Sequence, residues 1–574
     1  MIGIRIPDEW EGTVMAATRR GILAGSVLAA AACTVSAASA AEGPFRHGVA
    51  SGDPLPDAVV IWTRISPPEG APRQAEVLWD VAEDDGFARI VRSGRAETGA
   101  ARDFTVKVDV TGLAPGQRYF YRFRSGAHLS GTGITRTAPA READVAALRL
   151  AVVSCSNHPA GYFNVYRAIA VRGDVDLVLH LGDYIYEYGA SGYATQFGRQ
   201  VGRVPDPPHE IVSLDDYRRR YAQYRSDPDL QAAHACAPWL VTWDDHEFTN
   251  DAWTAGAENH TEATEGPWSA RKGVALQAYY EWMPLRDPAP GGSFEAINRA
   301  FDWGQLASIT MLETRILGRA QQIDPAAALA GLTPGSEAFM AALAGLNRAL
   351  ADPARQLLGP AQESWLAGRF AADAARQVRW NLLGNQIIMA RVPAPDFRGG
   401  LPQDVITRLV QALPQAEGYM DLAQLGLPLN LDAWDGYPAA RERLYAAAKA
   451  AGVRLVTLTG DTHSSWANRL VDAGGELRGV EFGCSSVTSP DFADTFNALG
   501  LDGALIGPLI ASGAPDVIEH HEGQRGFVLL DVTPDAVRAD FIGISTIFAR
   551  DFTASCRSTW RWDGGAAGLV AAGS

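Results

Sequence analysis

Between residues 45 and 137, apolar and polar positions alternate in short runs: "AVVIWTRI" (58–65), "AEVLWDVAE" (75–83), "FTVKVDV" (104–110) and "RYFYRFRSG" (118–126). Period-2 runs rich in β-branched and aromatic residues, separated by Pro and Gly, predict strands with one buried face. A small all-β sandwich is expected over 41–139. Past "TAPAREADVAA" (137–147) the alternation stops. The runs "LRLAVVSC", "VDLVLHLGD", "PWLVTWDDHE", "LASITMLET", "VRWNLLGNQIIM", "VRLVTLTGDTH" and "GFVLLDV" are interleaved with helical stretches. Several are apolar on both faces, as strands are when helices or a second sheet cover them. An α/β domain is predicted over 146–562, leaving 563–574 as a C-terminal tail. The Ala-rich segment 325–376 reads as a helical insertion. Residues 189–212, rich in Gly and Pro and carrying Arg199 and Arg203, read as a long loop.

The bulk numbers narrow the function classes. A chain of 574 residues, 47% hydrophobic and 20% charged, is globular and longer than one ordinary core. Net charge −16 argues against a nucleic-acid partner, which needs a basic face. An anionic substrate stays compatible, because bound cations reverse the local field. At the N-terminus, Arg19-Arg20 precedes a run of small apolar residues and an Ala38-Ser39-Ala40 site. Residues 1–40 therefore read as a twin-arginine signal peptide handled by the twin-arginine translocase, with the mature chain periplasmic or secreted. The run is broken by Gly and Ser and falls short of the ~20 residues that span a bilayer, so no stable membrane span is expected. Cys33 lacks the Leu of a lipid-attachment site. The remaining cysteines, Cys155, Cys236, Cys484 and Cys556, have no paired spacing and imply no disulfide framework.

Candidate chemistry collects where the apolar runs end. One stops at Cys155, another at Gly182-Asp183, a third at Asp244-Asp245-His246-Glu247, and a late one at Gly460-Asp461-Thr462-His463. Carboxyl ends of strands form the ligand crevice of open α/β sheets. Taken singly these residues have plain structural uses: Asp183 as a helix cap, Tyr186 as a packed aromatic, Cys155 as a buried thiol. Taken together they are metal ligands, carboxylate and imidazole for hard or borderline ions, thiolate and phenolate for a strongly Lewis-acidic one. A phenol with a free pKa of about 10 needs such help to ionise, and a trivalent iron supplies it. Asp183 and Tyr186 are three apart and reach one ion if a helical turn follows the strand. His180, inside the strand, reads as structural.

The stretches "FRHGVASGDP" (45–54), "GYFNVYRAIA" (161–170), "HLGDYIYEYG" (180–189), 214–247 through "WDDHE", "AYYEWMPLR" (278–286), "DAWDGYPAAR" (432–441) and "LTGDTHSSWANRL" (458–470) resemble the alkaline phosphatase D, or PhoD-like, family. The resemblance covers nearly the whole mature chain. It implies an α/β metallophosphoesterase core, a β-sandwich flanked by helices, preceded by an immunoglobulin- or fibronectin-like sandwich. "GLAPGQRYFYRF", with Leu113, Pro115 and Tyr119, fits the tyrosine corner of such sandwiches. It also implies a ferric ion, Fe(3+), with calcium, Ca(2+). Cys155, Asp183, Tyr186 and His463 would hold iron; Asp183 would bridge to the calcium that Asp245 and Asp461 complete. His246 would be catalytic, donating to the phosphate or to the leaving oxygen, and Asp244 and Glu247 would orient the ligands or hold a further calcium. The resemblance implies a phosphate mono- or diester substrate, hydrolysed by metal-activated water. Phosphodiesterase or phospholipase D-like action on the same site is the alternative, and a non-catalytic surface-binding protein is the alternative of another class. Three departures from the family pattern stand out: Glu313 in "LETR", Trp282, and Gly483-Cys484.

Overall fold

The computed structural model describes residues 43–67, 74–413 and 416–572; the expected signal peptide and Cys33 lie outside them. Two large sheets face each other. In the ten-stranded sheet, Leu148–Val153, Leu177–His180 and Trp239–Val241 run parallel at the centre. Antiparallel strands Gly526–Val532, Val537–Ile544 and Ala554–Trp562 extend one side. In the seven-stranded sheet, Ala307–Met311, Trp380–Gly384, Leu455–Thr459 and Leu477–Gly483 are parallel neighbours. The apolar core between the sheets includes Leu150, Val152, Leu179 and Leu240 from one and Ile309, Leu382, Val456 and Phe482 from the other. Helices Asn164–Arg172, Leu214–Arg225, Pro228–Cys236 and Trp268–Trp282 cover the outer face of the first sheet. Pro360–Ala375 and Pro438–Ala451 cover the second. Strands buried on both faces lose the period-2 signal, which is why their sequences are continuously apolar.

The N-terminal strands divide. Gln74–Ala82, Ile90–Gly99 and Arg118–Ser125 form a small sheet of their own, with His128–Leu129 and Gly133–Arg136. Val49–Gly52, Ala58–Arg64 and Thr105–Thr111 instead join the ten-stranded sheet, through the single parallel pair Gly52 and Trp239. Tyr119 Oη accepts the backbone N–H of Ala114 at 2.9 Å, the bond that pins a tyrosine corner. Strand Ile90–Gly99 escapes sequence reading because it is an edge strand, mostly exposed and without an apolar alternation. The segment 325–376 is helical as expected, in Pro325–Leu329, Glu337–Leu350 and Pro360–Ala375. Within 563–572, Val570–Ala571 pairs with Ala554–Trp562. No helix among the described residues is long and apolar enough to cross a membrane, and the four cysteines there are unbridged.

Candidate metal centre

The central parallel strands of both sheets deliver their carboxyl ends to one edge. Leu148–Val153 leads to Cys155, Leu177–His180 to Asp183 and Tyr186, Trp239–Val241 to Asp244 to Glu247, and Leu455–Thr459 to Asp461 and His463. The sheets are stitched there by Gln386, whose Nε2 donates to Thr242 Oγ1, Trp243 O and Leu312 O, each at 2.9 Å. Two glycines permit the approach. A Cβ on Gly182, at φ 103°, would collide with the backbone nitrogen and Cβ of Asp244; one on Gly460 would collide with Ser154 Oγ.

The side chains form three overlapping groups. In each, ligand atoms lie within 4.8 Å of one another: Cys155, Asp183 and His463; Asp183, Asp245 and His246; Asp244, Asp245 and Asp461. Tyr186 closes the first group, its Oη 2.9 Å from Asp183 Oδ2 and 3.2 Å from His463 Nε2. No helical turn follows the strand at 181–187, contrary to expectation. The two side chains meet because Asp183 adopts φ 56° and turns the chain. The first group mixes sulfur, nitrogen and oxygen donors; the third is all carboxylate.

The residues fit cations. Asp183 Oδ1, Asp244 Oδ2 and Asp461 Oδ2 are buried with no hydrogen-bond partner, a costly state that a bound cation relieves. Burial, with Asp183 alongside, pushes both the Cys155 thiol and the Tyr186 phenol well up, and burial pulls His463 well down. Burial also pushes Asp244 and Asp461 up to about 7. Burial thus disfavours the ionised forms of Cys155, Tyr186, Asp244 and Asp461, a penalty that a bound cation offsets, and keeps His463 as the neutral imidazole that a cation binds.

Supporting contacts fix the ligands. His463 Nδ1 lies 2.7 Å from Pro490 O, so its N–H points there and Nε2 is left toward Tyr186. Ser489 Oγ donates to Tyr186 Oη at 2.7 Å. Glu247 accepts the backbone N–H of Asp183 (3.0 Å), Tyr184 (2.6 Å) and Asp244 (2.8 Å), tying two strand ends together. His246 Nδ1 is 2.7 Å from Glu187 Oε2. Burial works against its positive charge, but Glu187, Asp245 and Asp183 outweigh it and hold the imidazole pKa well up. The loop 189–212 reaches the site through Tyr193, whose Oη is 3.2 Å from His463 Nδ1. Arg203 does not; it is buried on Asp227 at 2.9 Å. His180 is structural, bonded to Tyr166 Oη at 3.0 Å.

Sequence reasoning missed Arg315. Fully buried, it pairs with Asp244, with Asp432 at 2.8 Å, with Asp461 at 3.4 Å and with Asp245 at 3.6 Å. Arg319 and Gln322 join it on Asp432. Local sequence carries no signal for this role; within "LETR", Glu313 accepts the backbone N–H of Arg315, Ile316 and Leu317 and shapes the turn that presents Arg315. Of the other departures, Cys484 is buried 3.4 Å from Ser154 Oγ, and Trp282 packs on Trp62 and His47 in the core.

A family profile described as PhoD-like phosphatase matches residues 150–541, and that of the PhoD-like phosphatase N-terminal domain matches 29–139. The chain is 37% identical over 509 residues to alkaline phosphatase D of Bacillus subtilis (strain 168), covering 87% of this chain and 77% of the relative. It superposes on a solved structure titled "Structure of PhoD" with a TM-score of 0.74 at 33% identity, covering 92% of each chain.

Proposed function

Because the chain belongs to the PhoD-like phosphatase family, and is a phosphoric ester hydrolase on that ground, we propose that it is an exported phosphatase acting at an Fe(III)/Ca(II) centre. One observation carries this: a thiol, a phenol, an imidazole and a carboxylate converge beside a second group of carboxylates, with three buried oxygens left unpartnered. Cys155, Asp183, Tyr186 and His463 would hold iron. Asp183, Asp245 and Asp461 would hold calcium, whose preference for oxygen suits three carboxylates. The carboxylates there outnumber the guanidiniums of Arg315 and Arg319, leaving negative charge for a divalent ion to balance. Bound cations supply Lewis acidity toward a phosphoryl oxygen and toward the attacking water.

The chain's own residues do the rest. Asp183, common to two of the ligand groups, would help to hold both ions. His246, kept protonated by Glu187, donates to the phosphate or passes its proton to the leaving oxygen. Glu247 and the Glu313 turn hold the strand ends in register. The rings of Tyr188 and Tyr193 lie against each other at 5.8 Å, with Tyr188 5.5 Å from His246, and form an aromatic rim for the ester's organic group. Export through the twin-arginine translocase fits a metal centre assembled before crossing, with the folded enzyme periplasmic or secreted. The division into a sandwich at 41–139, a catalytic unit at 146–562 and a tail from 563 is part of the same proposal.

The test is metal analysis and a visible spectrum of protein purified from its exported form. Iron with calcium and a tyrosinate-to-iron band are expected; a colourless, iron-free enzyme of full activity refutes the iron assignment. Rates on nitrophenyl phosphate and bis-nitrophenyl phosphate decide between monoester and diester preference.

A further inference from the structure

Arg225 ends the helix Leu214–Arg225, fully buried. Among the described residues it is the arginine with Nε, Nη1 and Nη2 all buried and without a hydrogen-bond partner. No carboxylate among those residues pairs with it. Asp227, two residues on, is engaged elsewhere: its Oδ2 takes Arg203, and its Oδ1 takes the backbone N–H groups of Asp229 and Leu230. Its described partners are neutral: the face of Trp62, 4.4 Å from the guanidinium carbon, and the phenol of Tyr184, which it meets without a well-formed bond. A buried cation left with neutral partners alone is expensive, because desolvation costs several kcal/mol per ion.

The surroundings hold further unspent donors. Ser51 Oγ and Tyr121 Oη are buried and lack partners, and they face each other without a well-formed bond. His234 Nδ1 is also buried and unpartnered, while its Nε2 meets Tyr184 Oη at 2.9 Å. The Arg225 charge bears on Tyr121, Tyr184, His234 and His47 alike, so these groups share one neighbourhood. A positive charge among neutral hydroxyl and imidazole groups, with the nearby Asp227 carboxylate already taken by Arg203 and backbone N–H groups, asks for one negative charge.

We propose that Arg225 holds a buried monovalent anion, a halide, at the seam between strand Val49–Gly52, Tyr121 of the small sheet and helix Pro228–Cys236. The bound anion links the N-terminal strands to Tyr184, and through it to the loop that carries Asp183 and Tyr186. This site is separate from the metal centre and stands whether or not the iron assignment does.

Two measurements on the full mature enzyme test it. Crystals grown in sodium bromide, measured at the bromine edge, should show an anomalous peak in contact with the Arg225 guanidinium; ordered water there and no peak overturns the proposal. In solution, the unfolding temperature should rise saturably in sodium chloride over sodium gluconate at equal ionic strength, because a ligand of the folded state alone stabilises it. Arg225→Met should abolish that difference. Where that variant does not fold, Tyr121→Phe should move the chloride midpoint to higher concentration. Equal unfolding temperatures of the wild type in the two salts overturn the proposal.

Discussion

Glu187 offers a clean test of how His246 works. Its two carboxylate oxygens have separate jobs: Oε1 accepts Asn250 N (2.8 Å), Thr249 Oγ1 (3.1 Å) and Asn259 Nδ2 (3.1 Å), while Oε2 meets His246 Nδ1 at 2.7 Å. In Glu187→Gln the amide oxygen keeps the Oε1 contacts, and the amide NH2 faces the imidazole, so the loss is confined to one charge-assisted bond. Such bonds contribute about 1.5–3 kcal/mol. If they act in the transition state, the loss is roughly 10- to 150-fold in kcat/KM. The loss falls where the leaving oxygen most needs a proton. Across aryl phosphates of rising leaving-group pKa, nitrophenyl phosphate should lose under about 10-fold and the poorest leaving groups the full range, steepening the Brønsted slope. Metal content should not change. A uniform loss across the series, or one that tracks lost metal, refutes the proton-donor role.

Asp183→Asn removes the carboxylate shared by two ligand groups, and metal analysis should find both ions depleted with at least ~1,000-fold lower kcat. Arg315→Met leaves four buried carboxylates without their common guanidinium; denaturant unfolding should show a loss of about 3–5 kcal/mol, partly restored by added calcium. Gly182→Ala forces a Cβ into Asp244 in a left-handed backbone, and should lower both Tm and bound metal at once, as scanning calorimetry and metal analysis would show. His180 is pulled by burial to about 3, so the folded protein keeps it neutral while the unfolded chain protonates it below about 6.5. Its contribution to stability is complete above about pH 6.5 and falls as pH drops toward 3. Wild-type unfolding should therefore steepen through that window, and His180→Gln should flatten it.

The fold was legible wherever burial wrote a pattern. Two-sided burial made continuous apolar runs of Leu177–His180 and Leu455–Thr459, and one-sided burial made the alternation of Arg118–Ser125. Ile90–Gly99 wrote no pattern because little of it is buried. That the first N-terminal strands leave the small sheet for the large one was illegible, since a single residue pair makes the join. Arg315 was illegible for another reason. Its meaning lies in four aspartates drawn from three distant segments, and local sequence around "LETR" holds none of them. Nor does the sequence of the loop 189–212 announce that Arg203 is a buried anchor on Asp227.

The geometry of the site explains why polar residues stand at these strand ends. Cys155, Asp183, Asp461 and His463 have φ of 60°, 56°, 62° and 63°, a left-handed backbone that side chains other than Gly adopt at a cost. Each such residue costs of order 1–3 kcal/mol and persists where its surroundings over-determine it. Glycine would occupy these positions with less strain, but glycine has no ligand atom. The chain instead puts glycine one residue earlier, at Gly182 and Gly460, where close approach demands it, and a ligand at the strained position that follows. Gly-Asp at the end of an apolar run is thus a local trace of two requirements, room for the neighbouring strand and a carboxylate turned back toward the shared edge. Replacing Asp183 or Asp461 by Gly should relieve backbone strain while removing the ligand. In metal-depleted protein those variants should unfold at or above the wild-type temperature, and in metal-loaded protein below it. If they are destabilised equally in both states, the strain at these strand ends is not held by the metal centre.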